Sequence, residues 1–108
     1  MEFSDIQKRA LKVRAKYSAL EKHKGIREWS REDHVRGFVG DVGDLAKFTM
    51  AEDGLRTIDN SKEKIAHELA DCLWSIIIIS DEYDVDLRDS FLKTMDKLEE
   101  KIDSELSN

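Results

Sequence analysis

Proline is absent from the 108 residues, glycine occurs five times and cysteine once. A β-sandwich or barrel needs many tight turns, and the residues that build them are missing here. The single thiol, Cys72, excludes an intramolecular disulfide framework, and its place in an apolar run marks it as a packed core side chain. Long apolar runs are missing too. The longest, Ile76 to Ile79 with its neighbours, falls far short of the roughly 20 residues that span a bilayer. The first residues, MEFSDIQKRA, lack the apolar core of a signal peptide. The expectation is a soluble, cytoplasmic chain of long helices with no membrane partner.

What the chain does have is charge. Charged residues make up 39% and apolar residues 40%, and the formal net charge is −6. The apolar residues are spread along the whole length, which argues against global disorder. The length suits one domain, residues 1–108. Residues 1–36 carry net +4 and residues 37–108 net −10. An acidic chain binds a phosphate backbone poorly, so no nucleic-acid partner is expected. An acidic half that collects metal beside a basic half that meets phosphate would suit a small anionic ligand. A plain solvated mix of charges explains the same asymmetry.

Periodicity and capping signals predict four helices. The first runs from about Ser4 to His23, with Ser4 and Gln7 as a capping box. Its seam is Phe3, Ile6, Ala10, Val13, Tyr17 and Leu20, and Lys24-Gly25 ends it. The second runs from Arg31 to Glu52, capped by Ser30 with Asp33, and Gly54 ends it. Its apolar face is Val35, Phe38, Val39, Val42, Leu45, Ala46 and Thr49. Gly37, Gly40 and Gly43 recur every third residue along it. Each costs about 1 kcal/mol relative to alanine, so the row is read as bare backbone for close approach by a helix or a ligand. The third helix runs from Ser61 to about Tyr83 and is apolar on nearly every side between Leu69 and Ile79, as a central helix is. The fourth, capped by Asp86, runs from Leu87 to about Ser104, with Leu87, Phe91, Met95, Leu98 and Ile102 on its seam. The expected architecture is an all-α, four-helix-type bundle.

Two carboxylate pairs carry the chemistry. Asp41 and Asp44 lie on the second helix, Glu68 and Asp71 on the third. An i, i+3 spacing sets both members of a pair on one face, a turn apart. Their flanks are apolar, and an unpartnered buried carboxylate takes up a proton rather than stay charged. If the pairs face each other, four carboxylates repel until a cation enters, and hard oxygen ligands suit Mg²⁺ or Mn²⁺. Solvated acid pairs on a helix face are the plain alternative.

This pattern resembles the MazG-like nucleotide pyrophosphohydrolases. Their metal motif is an acidic residue, two others, an acidic residue, a spacer, then Glu-x-x-Asp. Here 23 residues separate Asp44 from Glu68. The stretch from Phe38 to Lys47 looks like the family's second-helix signature, and Lys64 to Trp74 like its third. Val85-Asp86-Leu87 entering the last helix also fits. The resemblance covers roughly residues 25–102. It implies an all-α fold assembled as a homodimer or homotetramer. It implies Mg²⁺-dependent cleavage of a nucleoside triphosphate between the α and β phosphates, giving a monophosphate and pyrophosphate, as in cleaning a nucleotide pool. Asp41, Asp44, Glu68 and Asp71 are then the catalytic, metal-holding residues.

Some positions depart from the family pattern. The first pair is Asp twice, where more familiar members carry Glu. The lysine and asparagine that many relatives use to hold phosphate fall on Thr94 and Leu98, which leaves Lys93, Lys97 and Lys101 as nearby substitutes. These departures support a second reading, a catalytically weak helical assembly or regulatory module, which would be indifferent to Mg²⁺. Trp29 precedes the second helix where some relatives set an aromatic residue against the base; it stacks there or serves as a hydrophobic staple. Trp74, one turn past Asp71, belongs to a core or an interface. Arg27, Arg31 and Arg36 are phosphate or base contacts, or solvated. His34 and His67 are candidate ligands, but no Glu-x-x-His motif exists, which argues against a ferritin-like di-iron site.

Overall fold

The computed structural model describes residues 1–108 as four helices and no strand. They are α1 (Phe3–His23), α2 (Arg31–Glu52), α3 (Ser61–Glu82) and α4 (Leu87–Leu106). None is long and apolar enough to cross a membrane.

The ends follow local chemistry. Ser30 accepts the Asp33 N–H at 3.2 Å, and the Ser30 N–H donates to Asp33 Oδ2 at 2.8 Å, a reciprocal cap for α2. Asp86 accepts the Asp89 N–H at 3.0 Å and starts α4. α1 departs from expectation. Its first turn is held by the Glu2 N–H donating to Asp5 Oδ2 at 2.9 Å, and Ser4 with Gln7 already lies inside the helix. Gly25 and Gly54 take positive φ after α1 and α2, and Asn60 and Asp84 take it before α3 and after its end. Asn and Asp are the side-chain-bearing residues that best tolerate that region.

α2 and α3 form an antiparallel pair. The Ser61 hydroxyl that opens α3 donates to Glu52 at the end of α2, while His34 near the start of α2 meets Glu82 at the end of α3. α1 crosses α3 over the small core. Ala10, Ile77 and Ile78 are buried there, with Phe3, Leu11, Trp74 and Leu87 packed against them. The Trp74 indole donates to the Ala10 carbonyl at 3.1 Å, so Trp74 is part of this packing. Cys72 is buried as expected.

α4 does not complete a closed bundle within one chain. Leu87 packs on the core, Met95 is partly covered, and none of the helix's residues is buried. Phe91, Leu98 and Ile102 on its seam are about half exposed. Val35, Val39 and Val42 on α2, and Leu69, Leu73 and Ile76 on α3, are also exposed at i, i+4, i+7 spacing. The radius of gyration is 17.6 Å, against about 13 Å for a compact domain of this length.

Candidate metal centre

The antiparallel pairing sets the middle of α2 against the middle of α3, and the two carboxylate pairs meet there. Oxygens of Asp41, Asp44 and Glu68 lie within 4.8 Å of one another. Glu68 also joins Asp71 and His67 in a second group within the same distance. Glu68 is thus common to both groups, and it is the buried member, only 9% exposed. Its Oε2 is buried with no hydrogen-bond partner.

The electrostatics follow from that crowding. Burial first, then the charges of Asp71, Asp41 and Asp44, raise the Glu68 carboxyl above its ordinary value. Burial, followed by Asp71 and Asp44, does the same to Asp41. The Cys72 thiol is pushed up by its burial and then by Asp41, Glu68 and Asp71. The only cationic relief for Asp44 is the half-exposed Lys47, 3.6 Å away. A divalent cation fits this set: the donors are hard oxygens, and an orphaned buried carboxylate oxygen lies among them.

A cavity of about 590 Å³ opens beside the cluster between α1, α2 and α3. Asp41 and Asp71 form part of its wall, and Tyr17, Trp29, His34 and Trp74 supply an aromatic lining. The Trp29 and His34 rings are 5.5 Å apart, and those of His34 and Trp74 5.8 Å. Gly37 makes room for Trp29, because a Cβ there would fall 2.8 Å from the indole Cζ3. Gly40 and Gly43 face open space, so close approach within the chain explains only the first of the three glycines. The Trp29 N–H donates to Glu21 Oε2 at 3.1 Å, which ties the connection before α2 to α1.

Behind the aromatic wall lies a network that sequence periodicity did not reveal. Arg14 donates to Glu82 Oε2 at 3.1 Å, and His34 Nδ1 lies 2.8 Å from Glu82 Oε1. The His34 and Glu82 atoms do not form an aligned hydrogen bond, although both are buried. Three helices meet at this carboxylate. The available signal was the acidic pair Asp81-Glu82 at the end of the most apolar helix.

The basic candidates divide. Arg27 is held by Asp33 at 2.7 Å, which drives the Asp33 carboxyl well below the carboxylate range. Arg31 stacks on the Tyr83 ring, 4.5 Å from its centroid. Arg36 lies 4.0 Å from Glu32 on the exposed face of α2. Lys93 pairs with Asp89 at 3.0 Å, and Lys97 and Lys101 are exposed further along α4. None of these three lysines lines the aromatic cavity or the second, smaller one of about 280 Å³ beside His67 and Glu68. That smaller cavity carries its own cation, Lys64, set 5.9 Å from the Phe48 ring centroid.

Comparison with protein families matches residues 38–104 to one described as the MazG nucleotide pyrophosphohydrolase domain. The matched span contains all four carboxylates, whereas α1, Trp29 and His34 lie outside it. No match is found among curated proteins or among solved structures.

Proposed function

Because this chain belongs to the MazG nucleotide pyrophosphohydrolase family, we propose that it hydrolyses a nucleoside triphosphate between the α and β phosphates in a Mg²⁺-dependent reaction. The observation that carries the reading is Glu68, a buried carboxylate with an orphaned oxygen, shared by two acidic groups from facing helices. Asp41, Asp44, Glu68 and Asp71 would hold the ion. When bound, it supplies charge neutralisation at the phosphate oxygens and a more acidic water. A carboxylate of the cluster left free of coordination accepts the proton of the attacking water. The products are a monophosphate and pyrophosphate, and Mn²⁺ is an alternative ion. In this reading the substrate comes from the cytoplasmic nucleotide pool.

The aromatic cavity supports a place for the base. Trp29, held over Gly37, and Trp74 offer flat apolar surfaces next to Asp41 and Asp71. The α4 lysines would reach phosphate only in an assembly, and the surface argues for one. The chain exposes 8453 Å², whereas a compact monomer of its mass exposes about 6,200 Å². Covering the difference in two copies would bury roughly 4,500 Å², in the range of obligate dimers. Residues 1–108 then act as one domain within a homodimer or homotetramer.

The test is a panel of ribo- and deoxyribonucleoside triphosphates, normal and base-modified, assayed for pyrophosphate release. Release that needs Mg²⁺ and stops with excess EDTA is expected. Absence of release across the panel, with stability indifferent to Mg²⁺, would leave a helical assembly module instead.

A further inference from the structure

The two groups that share Glu68 differ in chemistry. Asp41, Asp44 and Glu68 offer oxygen alone, while His67, Glu68 and Asp71 combine an imidazole nitrogen with two carboxylates. His67 and Asp71 are one helical turn apart on α3, and His67 Nε2 lies 3.1 Å from Asp71 Oδ2. By itself that contact is an ordinary surface pair, because His67 is largely exposed. Glu68 makes it more than that. Its side chain is more than nine-tenths buried, and its Oε2 has no donor. Burial of an unsatisfied charge between two ligand sets is costly unless a cation joins it.

We propose that His67 is a metal ligand: a cation seated on Glu68 and Asp71 also takes the imidazole nitrogen, and this position selects a first-row transition ion over Mg²⁺. The inference rests on the reading of the carboxylates as a metal site and adds selectivity to it. Mg²⁺ demands near-octahedral oxygen ligation and gains little from nitrogen, and Mn²⁺ shares its taste for oxygen, whereas imidazole suits Fe²⁺, Ni²⁺ and Zn²⁺. The exposed side of the group leaves positions open for water and phosphate oxygens. Asp41, Asp44 and Glu68 remain a hard, all-oxygen position for Mg²⁺.

Zn²⁺ is the probe, titrated calorimetrically into the full chain and into His67→Gln, with Mg²⁺ in parallel. The substitution should weaken Zn²⁺ binding about tenfold, the lower end of what a supporting group contributes to a metal site, and leave Mg²⁺ binding unchanged. Nitrogen-15 magnetic resonance should show the His67 ring Nε2 shifting on Zn²⁺ addition in the wild type, a signal absent from His67→Gln. His67 is exposed on its helix, and matching circular dichroism spectra check that the variant folds. Zn²⁺ bound with no shift of the His67 ring nitrogen, or Zn²⁺ affinity unchanged in His67→Gln, overturns the assignment and leaves the carboxylate site standing. Failure of the wild type to bind either ion overturns both.

Discussion

Replacing Asp41 by Asn should stabilise the metal-free protein. Asp41 keeps a carboxylate oxygen within 4.8 Å of those of Asp44 and Glu68 and also feels the charge of Asp71, so the substitution removes three repulsive pairs. Unit charges at that separation repel by about 1 kcal/mol in water and about 3.5 kcal/mol at an effective dielectric of 20. Asp41 and Asp44 are partly solvated, which favours the lower figure, and protonation caps the cost. A net gain of about 1–3 kcal/mol follows, which at about 4–8 °C per kcal/mol raises Tm by roughly 5–20 °C. Mg²⁺ acts in the opposite direction on the comparison. At a hundredfold excess over Kd it adds about 2.7 kcal/mol to a wild-type fold that alone binds it. Asp41→Asn should therefore start higher in EDTA and respond less to Mg²⁺, as read by thermal unfolding monitored at the helix signal. An unchanged or lower Tm in EDTA, with a full Mg²⁺ shift, would refute the reasoning: the carboxylates would then be a solvated helix face.

Three further outcomes are expected. The Asp41 carboxyl is raised by burial and by its acidic neighbours, so its contribution to folding is fully favourable below the ordinary value of 3.8 and is lost as pH rises through the elevated one. The Tm gap between Asp41→Asn and wild type in EDTA should accordingly be widest at neutral pH and close as the pH falls towards 4; a constant gap would separate Asp41 from the cluster's charge. Gly37→Ala should displace the Trp29 indole, whose Cζ3 would lie 2.8 Å from the new methyl, and red-shift tryptophan emission, whereas Gly40→Ala should not. Light scattering should give at least twice the chain mass, and Phe91→Glu combined with Leu98→Glu on the open α4 seam should reduce it; a monomeric wild type would contradict the area argument.

Helix positions were legible because caps and periodicity are local. Ser30 with Asp33, and Asp86, name their helix starts, and both carboxylate pairs follow from the rise of a helix. The start of α1 was misread because Glu2 and Asp5 compete with Ser4 and Gln7 for the same first turn. What was not legible depends on distant partners. Arg14, His34 and Glu82 meet only after three helices pack, with Arg14 and Glu82 68 positions apart in the chain, and no periodicity links them. The row of three glycines looked uniform, yet only Gly37 has a neighbour to accommodate. The amphipathic pattern of α4 predicts a buried seam without saying which chain buries it.

Hydrolysis in ¹⁸O-labelled water, followed by ³¹P magnetic resonance, tests the central claim most directly. With Mg²⁺ and a nucleoside triphosphate, the wild type should give pyrophosphate without orthophosphate. The label should enter the monophosphate if the α phosphorus is attacked or the pyrophosphate if the β phosphorus is, one of the two and never orthophosphate. Asp71→Asn, nearly isosteric but one charge poorer, should retain its helix content and lose the reaction. Stepwise release of orthophosphate, products without label, or full activity in Asp71→Asn would contradict the account.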